Sequence, residues 1–238
     1  MSPSSRNALR PDADVIIAAA GASRRAGEGE PKPFRPIRGI PMLLRALAPF
    51  AQHPRVASIV VALPEAFARK PPGWLVAEAG ERVRLVAGGA TRTESVRLAL
   101  TALQEAREIV LVHDAARPFV AVETVDAVLA AAARGVCAVP AIPVADTLKR
   151  SEHGSMNVRE TVDRTGLWRA QTPQGFPRAM LEAAYERARG SLADAVTTDE
   201  ASLIEATGFP VELIPDRSSN IKVTTPDDFR LAEALASL

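Results

Sequence analysis

The chain has 238 residues, of which 47% are hydrophobic and 24% are charged, and these proportions are typical of a folded globular protein. Its 29 basic and 28 acidic residues leave a net charge of +1, which disfavours duplex nucleic acid as a partner because such binders carry a larger basic excess. No apolar run approaches the roughly 18 residues of a membrane span, and the N-terminus lacks the pattern of a secretory signal, so we expect a cytoplasmic protein with no membrane partner.

Short apolar runs alternate with amphipathic stretches through the first 142 residues. Residues 1–12 show no periodicity and are predicted to form a flexible tail. Strands are predicted at residues 14–20, 57–63, 83–86, 108–112 and 136–142, and helices at residues 41–53, 91–105 and 122–134. Thr91 and Glu94 form a capping-box signal at the start of the second helix. This order of strands and helices predicts an α/β fold with a Rossmann-like, mostly parallel sheet flanked by helices.

The alternation breaks between residues 143 and 173. Extended pieces at residues 147–150 and 160–162 predict a hairpin-like insertion, a β-arm that protrudes from the sheet. The elements predicted after it are helices at residues 178–189 and 199–207, strands at 211–214 and 220–223, and a last helix, capped by Thr225, that ends near residue 236. No repeat or low-complexity linker divides the chain, so residues 13–238 are predicted to form one domain that carries the insertion.

The single cysteine of the chain excludes an internal disulfide. Cys137 lies in an apolar run and is predicted to be a buried thiol rather than a nucleophile. The three histidines, His53, His113 and His153, have neither i,i+4 spacing nor cysteine partners, so we expect no zinc site. His113 has no evident partner, which disfavours a catalytic role for it.

Ligands of open parallel sheets bind beyond the carboxyl ends of the strands, where the loops converge. This rule selects residues 21–32, 88–95 and 113–117 and the segment near Lys222. The first of these loops lacks both the Walker A pattern and the G-x-G-x-x-G fingerprint, which disfavours a P-loop NTPase and a dinucleotide-dependent oxidoreductase. Its glycine turn is followed by Arg24, Arg25 and Lys32, a combination that suits a polyphosphate, although a solvated basic loop explains the same residues.

Two further loops offer groups for a ligand. Gly88 and Gly89 precede a helix start that includes Ser95, and this arrangement either lets a ligand approach the backbone or is a simple turn and cap. Asp114 follows a buried strand directly and could bind a hydroxyl or assist a magnesium ion, and Arg117 could bind a phosphate. The alternative for the loop of Asp114 and Arg117 is that these two residues form an ion pair that braces the loop.

The segments named so far belong to a longer ordered set of motifs. In chain order the set is Ala19-Ala20-Gly21-Ala22-Ser23-Arg24-Arg25, Pro31-Lys32, Gly88-Gly89 with Ser95, Val112-His113-Asp114-Ala115-Ala116-Arg117-Pro118, Asp146-Thr147-Leu148-Lys149-Arg150, Thr161-Val162-Asp163-Arg164, Gln171-Thr172-Pro173-Gln174, Thr198-Asp199-Glu200-Ala201 and Asn220-Ile221-Lys222-Val223-Thr224. With these motifs, residues 14–236 resemble the 2-C-methyl-D-erythritol 4-phosphate cytidylyltransferases of the non-mevalonate isoprenoid pathway. The neighbouring alternative is a ribitol-5-phosphate cytidylyltransferase, and a further alternative is an inactive nucleotide-binding regulatory protein of the same fold.

The resemblance implies a nucleotidyltransferase type of fold and a reaction in which the acceptor phosphate attacks the α-phosphorus of CTP in line. CMP is transferred to 2-C-methyl-D-erythritol 4-phosphate, and pyrophosphate is released. The resemblance also implies Mg²⁺ on the triphosphate rather than in a protein metal site, and Asp114 could assist that ion. A homodimer is implied as well, because the insertion corresponds to the family's dimerisation arm, which would bring Thr147, Arg164 and Thr172 to the partner subunit's active site.

The same resemblance assigns roles to individual residues of this chain. The implied catalytic residues are Arg25, Lys32, Arg164 and Lys222. The implied CTP-binding residues are Ala19, Ala20, Gly21, Gly89, Ser95 and Asp114. The implied residues for methylerythritol phosphate are Asp114, Arg117, Thr147, Arg164, Thr172 and Lys222.

Overall fold

The structure, a computed structural model, describes residues 12–21, 31–104, 107–188 and 198–237. The predicted tail, except for Asp12, and the predicted site residue Arg25 lie outside these ranges. The strands of the described part are β1 (Ala13–Ala18), β2 (Pro36–Ile37), β3 (Ile40–Pro41), β4 (Val56–Leu63), β5 (Val83–Ala87), β6 (Ile109–Asp114), β7 (Cys137–Pro143), β8 (Leu148–Ser151), β9 (Val158–Val162), β10 (Trp168–Ala170), β11 (Gln174–Pro177) and β12 (Val211–Pro215). Its helices are α1 (Met42–Ala51), α2 (Glu65–Arg69), α3 (Gly73–Ala79), α4 (Arg92–Thr101), α5 (Val122–Ala133), α6 (Arg178–Ala188), α7 (Glu200–Glu205) and α8 (Pro226–Leu235).

An eight-stranded sheet organises the described residues, in the order β10-β7-β11-β6-β1-β4-β5, with β12 also paired to β7. Strand β1 pairs in parallel with β4 and β6, β4 with β5, and β12 with β7. Strands β10 and β11 run antiparallel to their neighbours. The predicted mostly parallel sheet is therefore confirmed.

The central strand β1 shows why the sheet is covered on both faces. Val15 and Ile17 belong to one buried cluster, with residues of α1 and α5, whereas Ile16 belongs to another, with residues of α4, α6 and α7. Side chains of a strand alternate between the two faces of a sheet, so an unbroken apolar run needs helices on each side. The short Val/Ile run of the sequence thus dictates a strand in the middle of a three-layer fold.

The ends of two helices follow the capping signals of the sequence. The Thr91 side chain accepts a hydrogen bond from the Glu94 amide at the start of α4. At the start of α8, Thr225 and Asp228 form a reciprocal capping box. Such caps satisfy amide groups that a helix start leaves without partners, typically stabilising the fold by about 1 kcal/mol each.

The predicted insertion contains a separate two-stranded hairpin of β8 and β9. Both ends of the predicted range belong to the main sheet, since Trp168 of β10 pairs with Pro143 of β7. The hairpin therefore lies within residues 144–167. Most of its side chains are exposed, and Met156 retains 94% of its accessible surface.

Some predicted elements are wrong. Residues 220–223 form no strand; the Val223 amide donates to the Ala116 carbonyl, and this single bond does not make a ladder. His113 and Asp114 are the last residues of β6 rather than part of the loop. Helices α2 and α3 and strand β11 were not predicted, because both helices are short and begin directly after prolines, and β11 contains a glycine and a proline.

Burial explains the state of the cysteine. Cys137 is free and buried, as predicted, and burial raises the pKa of its thiol to about 11, which keeps it protonated and unreactive at neutral pH.

No helix of the described ranges has both the length and the apolar composition needed to cross a membrane.

Candidate active site

Two glycine-containing turns pack together at the carboxyl edge of the sheet. Ala18 ends β1 opposite Asp114, the last residue of β6, and the residues that follow β1 run toward the turn that follows β5. A Cβ atom at Gly88 would lie 2.3 Å from the Cβ of Ala20, so only glycine allows this approach. The predicted CTP-binding backbone at residues 19–21 and at Gly89 is therefore brought to one place.

Ser95 braces the second of these turns. Its hydroxyl accepts a hydrogen bond from the Gly89 amide at 3.1 Å and donates one to the Thr91 carbonyl at 2.8 Å. The residue is only 2% exposed. In this structure the Ser95 side chain thus fixes the shape of the turn and leaves the Gly89 backbone as the group nearer the surface.

Asp114 is the electrostatic centre of the site. Its Oδ2 atom lies 2.7 Å from the Lys222 ammonium, and its Oδ1 atom accepts a hydrogen bond from Arg92 Nε at 2.9 Å. Burial favours the neutral acid, but the two cations outweigh it and hold the pKa of Asp114 well below its usual range. The carboxylate is therefore ionised at any physiological pH. The alternative interpretation of this loop, an ion pair of Asp114 with Arg117, is not what the described residues show, because Asp114 pairs with Arg92 and Lys222.

Arg92 links this carboxylate to a second one in the core. Its Nη1 atom donates to both carboxylate oxygens of Glu200, at 2.9 and 2.8 Å, and Glu200 is completely buried. The Tyr185 hydroxyl donates to Glu200 Oε1 at 3.2 Å. Neither Arg92 nor Glu200 was assigned a role from the sequence, although both lie inside motifs of the ordered set or directly beside them. The sequence signal that could have identified Arg92 is its place as the first residue of a helix that follows the Gly88–Gly89 turn.

Two lysines flank one irregular segment of backbone. Lys32 Nζ donates to the Val223 carbonyl at 2.6 Å, directly beside Lys222. The amides of Thr224 and Thr225 both donate to Asp228 Oδ2 at 2.7 Å, which fixes the end of the segment to helix α8. The structure thus brings together two of the predicted catalytic residues, which are far apart in the sequence.

Arg117 holds two other segments in place. Its guanidinium donates to the Asn220 carbonyl at 2.7 Å and to the Ala170 carbonyl at 3.1 Å. The Gln171 side chain also donates to the Asn220 carbonyl, at 3.0 Å. Arg117 therefore sets the position of the segment that carries Lys222.

His113 has two partners, contrary to the sequence-based expectation. A carbonyl oxygen only accepts, so the 3.0 Å contact of His113 Nε2 with the Arg117 carbonyl places the ring proton on Nε2. Nδ1 then accepts the Thr172 hydroxyl proton at 2.9 Å, and the same hydroxyl accepts from the Asp114 amide at 3.1 Å. Burial lowers the pKa of His113 to about 4, so the ring is neutral and fixes Thr172 in place. Thr172 is thus buried beside Asp114 of its own subunit, and the expectation that it reaches the partner subunit's active site is wrong.

The remaining predicted site residues lie elsewhere. Thr147 and Arg164 are exposed on the segments that flank the β8–β9 hairpin. Within the described ranges, no side-chain hydrogen bond or ion pair connects either of them to the cluster of Lys32, Asp114 and Lys222. The same ranges contain no group of three or more His, Cys, Asp or Glu side chains arranged to hold a metal ion.

Comparisons with known proteins agree with this geometry. Residues 13–237 match the family model described as IspD, 2-C-methyl-D-erythritol 4-phosphate cytidylyltransferase. The enzyme of that name from Salinibacter ruber is 45% identical over 222 residues, which cover 93% of this chain and 91% of that protein. Crystal structures of the enzyme from Thermus thermophilus (38% identity, TM-score 0.78, 94% and 98% of the two chains) and from Francisella tularensis (29%, 0.80, 94% and 99%) share the fold. The chain therefore belongs to the 2-C-methyl-D-erythritol 4-phosphate cytidylyltransferase family.

Proposed function

We propose that the protein transfers the cytidylyl group of CTP to 2-C-methyl-D-erythritol 4-phosphate and releases pyrophosphate. Membership of the family over nearly the whole chain supports this reaction. The observation that carries it at the level of the site is the convergence of Lys32 and Lys222 on one backbone segment beside two glycine turns. Such a site suits a polyanionic nucleotide that meets a second phosphate.

The reaction needs no general base from the protein. A phosphate monoester has its second pKa near 6, so the acceptor is largely a dianion at neutral pH. One of its oxygens forms a new bond to the α-phosphorus of CTP as the bond from that phosphorus to the bridging oxygen of the β-phosphate breaks, and pyrophosphate leaves with the electron pair. The neutral, buried His113 is consistent with this scheme.

The difficulty is electrostatic, because two polyanions must approach each other. Lys32, with Arg25 by resemblance, is assigned to the triphosphate, where fixed cations stabilise the charge that develops on the leaving group. Lys222 is assigned to the acceptor phosphate. Arg117 and Thr172 stabilise the acceptor side of the site through bonds inside the protein. Arg117 donates to two backbone carbonyls, and Thr172 bonds to His113 and to the Asp114 amide.

The nucleoside lies against the glycine turns in this proposal. The backbone of residues 19–21 and of Gly89 holds the cytidine, and Ser95 contributes through the turn that it braces. Asp114 faces both substrates from the end of β6. An ionised carboxylate there accepts hydrogen bonds from sugar hydroxyls.

The residues fit a Mg²⁺ ion that arrives with the triphosphate. Asp114 is ionised and could assist, but it is already paired with Arg92 and Lys222, and the described ranges hold no cluster of acidic ligands. When bound, the ion neutralises charge on the phosphate oxygens. The protein's own share is the placement of Lys32 and Lys222.

The arm supports a homodimer in which each active site uses residues of both subunits. Thr147 and Arg164 are exposed on the arm, and in this proposal they reach the partner subunit's acceptor site. The exposed apolar side chains Met156 and Val158 on the hairpin are suited to burial against a second copy. Because CTP is an intracellular nucleotide and the one thiol is free, we place the protein in the cytoplasm.

Pyrophosphate release with each of the four nucleoside triphosphates, Mg²⁺ and one of two acceptors tests this function. Release with CTP and methylerythritol phosphate alone would support it. Release with ribitol 5-phosphate instead would leave the proposed roles of Lys32 and Lys222 unchanged but would make the protein a ribitol-5-phosphate cytidylyltransferase. CTP binding without turnover by the folded protein would contradict the proposal and favour an inactive nucleotide-binding protein.

A further inference from the structure

Four charged side chains form a continuous chain from the site into the core, and we call it the ion-pair chain. It runs from Lys222 through Asp114 and Arg92 to Glu200. The side chains at its two ends differ most in exposure, with 45% at Lys222 and 0% at Glu200, whereas Asp114 and Arg92 between them are 9% and 24% exposed. The proposed chemistry uses only the outer two members, so the inner two need an explanation.

We infer that Arg92, held by Glu200, is a positioning residue for the reaction, which sets how tightly Asp114 holds the Lys222 ammonium. This inference rests on the proposed function. Lys222 must be placed by Asp114 in the free enzyme and then shift onto a phosphate. A carboxylate with Lys222 as its one partner would retain that ammonium strongly. With Arg92 on its other oxygen, the negative charge of Asp114 is already balanced, and the lysine can turn to the substrate at lower cost.

The geometry of Arg92 requires its guanidinium group. Nε donates to Asp114 and Nη1 donates to Glu200, so two separate edges of the planar group hold two carboxylates at a fixed separation. A lysine carries the same charge on one flexible atom and cannot reproduce this arrangement. Arg92 is also the first residue of α4, behind the Gly88–Gly89 turn, so its backbone position is set by the nucleotide-binding turn itself.

Glu200 keeps Arg92 in this orientation. A completely buried carboxylate is costly unless it is paired, and this one is paired twice by Arg92 and accepts the Tyr185 hydroxyl. Glu200 has no exposed surface and therefore contacts no substrate. Of its side-chain partners Arg92 and Tyr185, only Arg92 also bonds to Asp114 among the described residues, so we expect Glu200 to affect Lys222 through Arg92.

A double-mutant cycle on activity separates positioning from mere structural support. We expect Arg92→Met to lower kcat/KM for methylerythritol phosphate by at least ~10-fold, the usual lower range for a residue that orients a functional group. In a Lys222→Met background the same change should cost less than ~2-fold, because the group that Arg92 positions is gone. Arg92→Lys should restore only part of the loss.

The matched control is Arg134→Met, which removes an exposed arginine that follows α5 and pairs with Glu212 of β12, and it should leave kcat/KM unchanged. If Arg92→Met does not fold, Glu200→Gln, which keeps the size but replaces one acceptor oxygen facing Arg92 with an NH2 donor, takes its place in the cycle. An equal loss in both backgrounds, or full activity of the folded variant, would overturn the inference. A wild-type protein that releases no pyrophosphate would instead overturn the proposed function.

Discussion

At the scale of single residues, the site depends on cations whose positions are fixed by backbone carbonyls and carboxylates. Lys32 is the clearest case, because its ammonium is placed by the Val223 carbonyl at 2.6 Å, in the segment that carries Lys222. A charge held in position before the substrate arrives costs little reorganisation during the reaction. The lysines were named from motifs, but the bond from Lys32 to the Val223 carbonyl, next to Lys222, joins residues 191 positions apart and could not be predicted from the sequence.

Replacing Lys32 should therefore affect turnover strongly. For Lys32→Ala we expect kcat to fall at least ~100-fold, by analogy with the loss of one preorganised charge contact. Steady-state pyrophosphate release measures it, and thermal unfolding of the variant checks that the loss is not one of folding. A folded Lys32→Ala protein with unchanged kcat would show that the residue has no part in the chemistry.

The buried His113 predicts a dependence of stability on pH. Its folded pKa of about 4 lies below the value of about 6.5 in an unfolded chain, so the unfolded state takes up the proton first as the pH falls. The stabilisation from the neutral ring is complete above pH ~6.5 and is lost toward pH ~4, a change of about 3 kcal/mol in the free energy of unfolding.

Urea unfolding at several pH values measures this change. His113→Gln should flatten the acid side of the stability curve relative to the wild type, with the exposed His153→Gln as control. The same slope in His113→Gln and wild type would mean that other groups account for the acid loss.

At the scale of elements, close packing of turns shapes the part of the site that we propose for the nucleotide. Gly88 allows the turn after β5 to touch the residues after β1, and Ser95 of α4 locks the neighbouring Gly89. We expect Gly88→Ala to weaken CTP binding at least ~10-fold, because its Cβ and that of Ala20 cannot both keep their places; overpacking of this kind typically costs about 1–3 kcal/mol.

Isothermal titration calorimetry with CTP measures that change. The control is Gly73→Ala in helix α3, where a Cβ meets nothing within 4 Å. Equal CTP affinity in Gly88→Ala and the wild type would contradict the assignment of this turn to the nucleotide.

The elements also show where sequence patterns suffice and where they do not. The apolar run of β1 and the caps Thr91 and Thr225 depend on local residues, and these predictions are confirmed. Residues 220–223 look like a strand but are held by Arg117 and by the loop after β6, contacts that only the folded chain creates. For the same reason the carbonyl acceptors of Arg117 could not be predicted, because they lie on distant segments and leave no pattern in the sequence.

At the scale of the whole molecule, we propose that the arm distributes each active site over two subunits. In the proposed homodimer, Lys32 comes from one subunit and Arg164 from the other. Lys32→Ala and Arg164→Met should each be nearly inactive alone, but mixed subunits should regain about a quarter of wild-type activity, because half of the dimers are mixed and each has one intact site. Activity after subunit exchange measures this. No recovery from mixtures that form mixed dimers would place Arg164 in its own subunit's site.

The central claim, transfer of a cytidylyl group to an acceptor phosphate at the Lys32 and Lys222 edge of the sheet, has a direct test. Phosphorus NMR spectra are recorded over time on a mixture of CTP, methylerythritol phosphate, Mg²⁺ and the protein. We expect equal growth of pyrophosphate and of a diphosphate diester, only when both substrates are present. Release of CMP without an acceptor, or no reaction in a folded sample that binds CTP, would contradict the account.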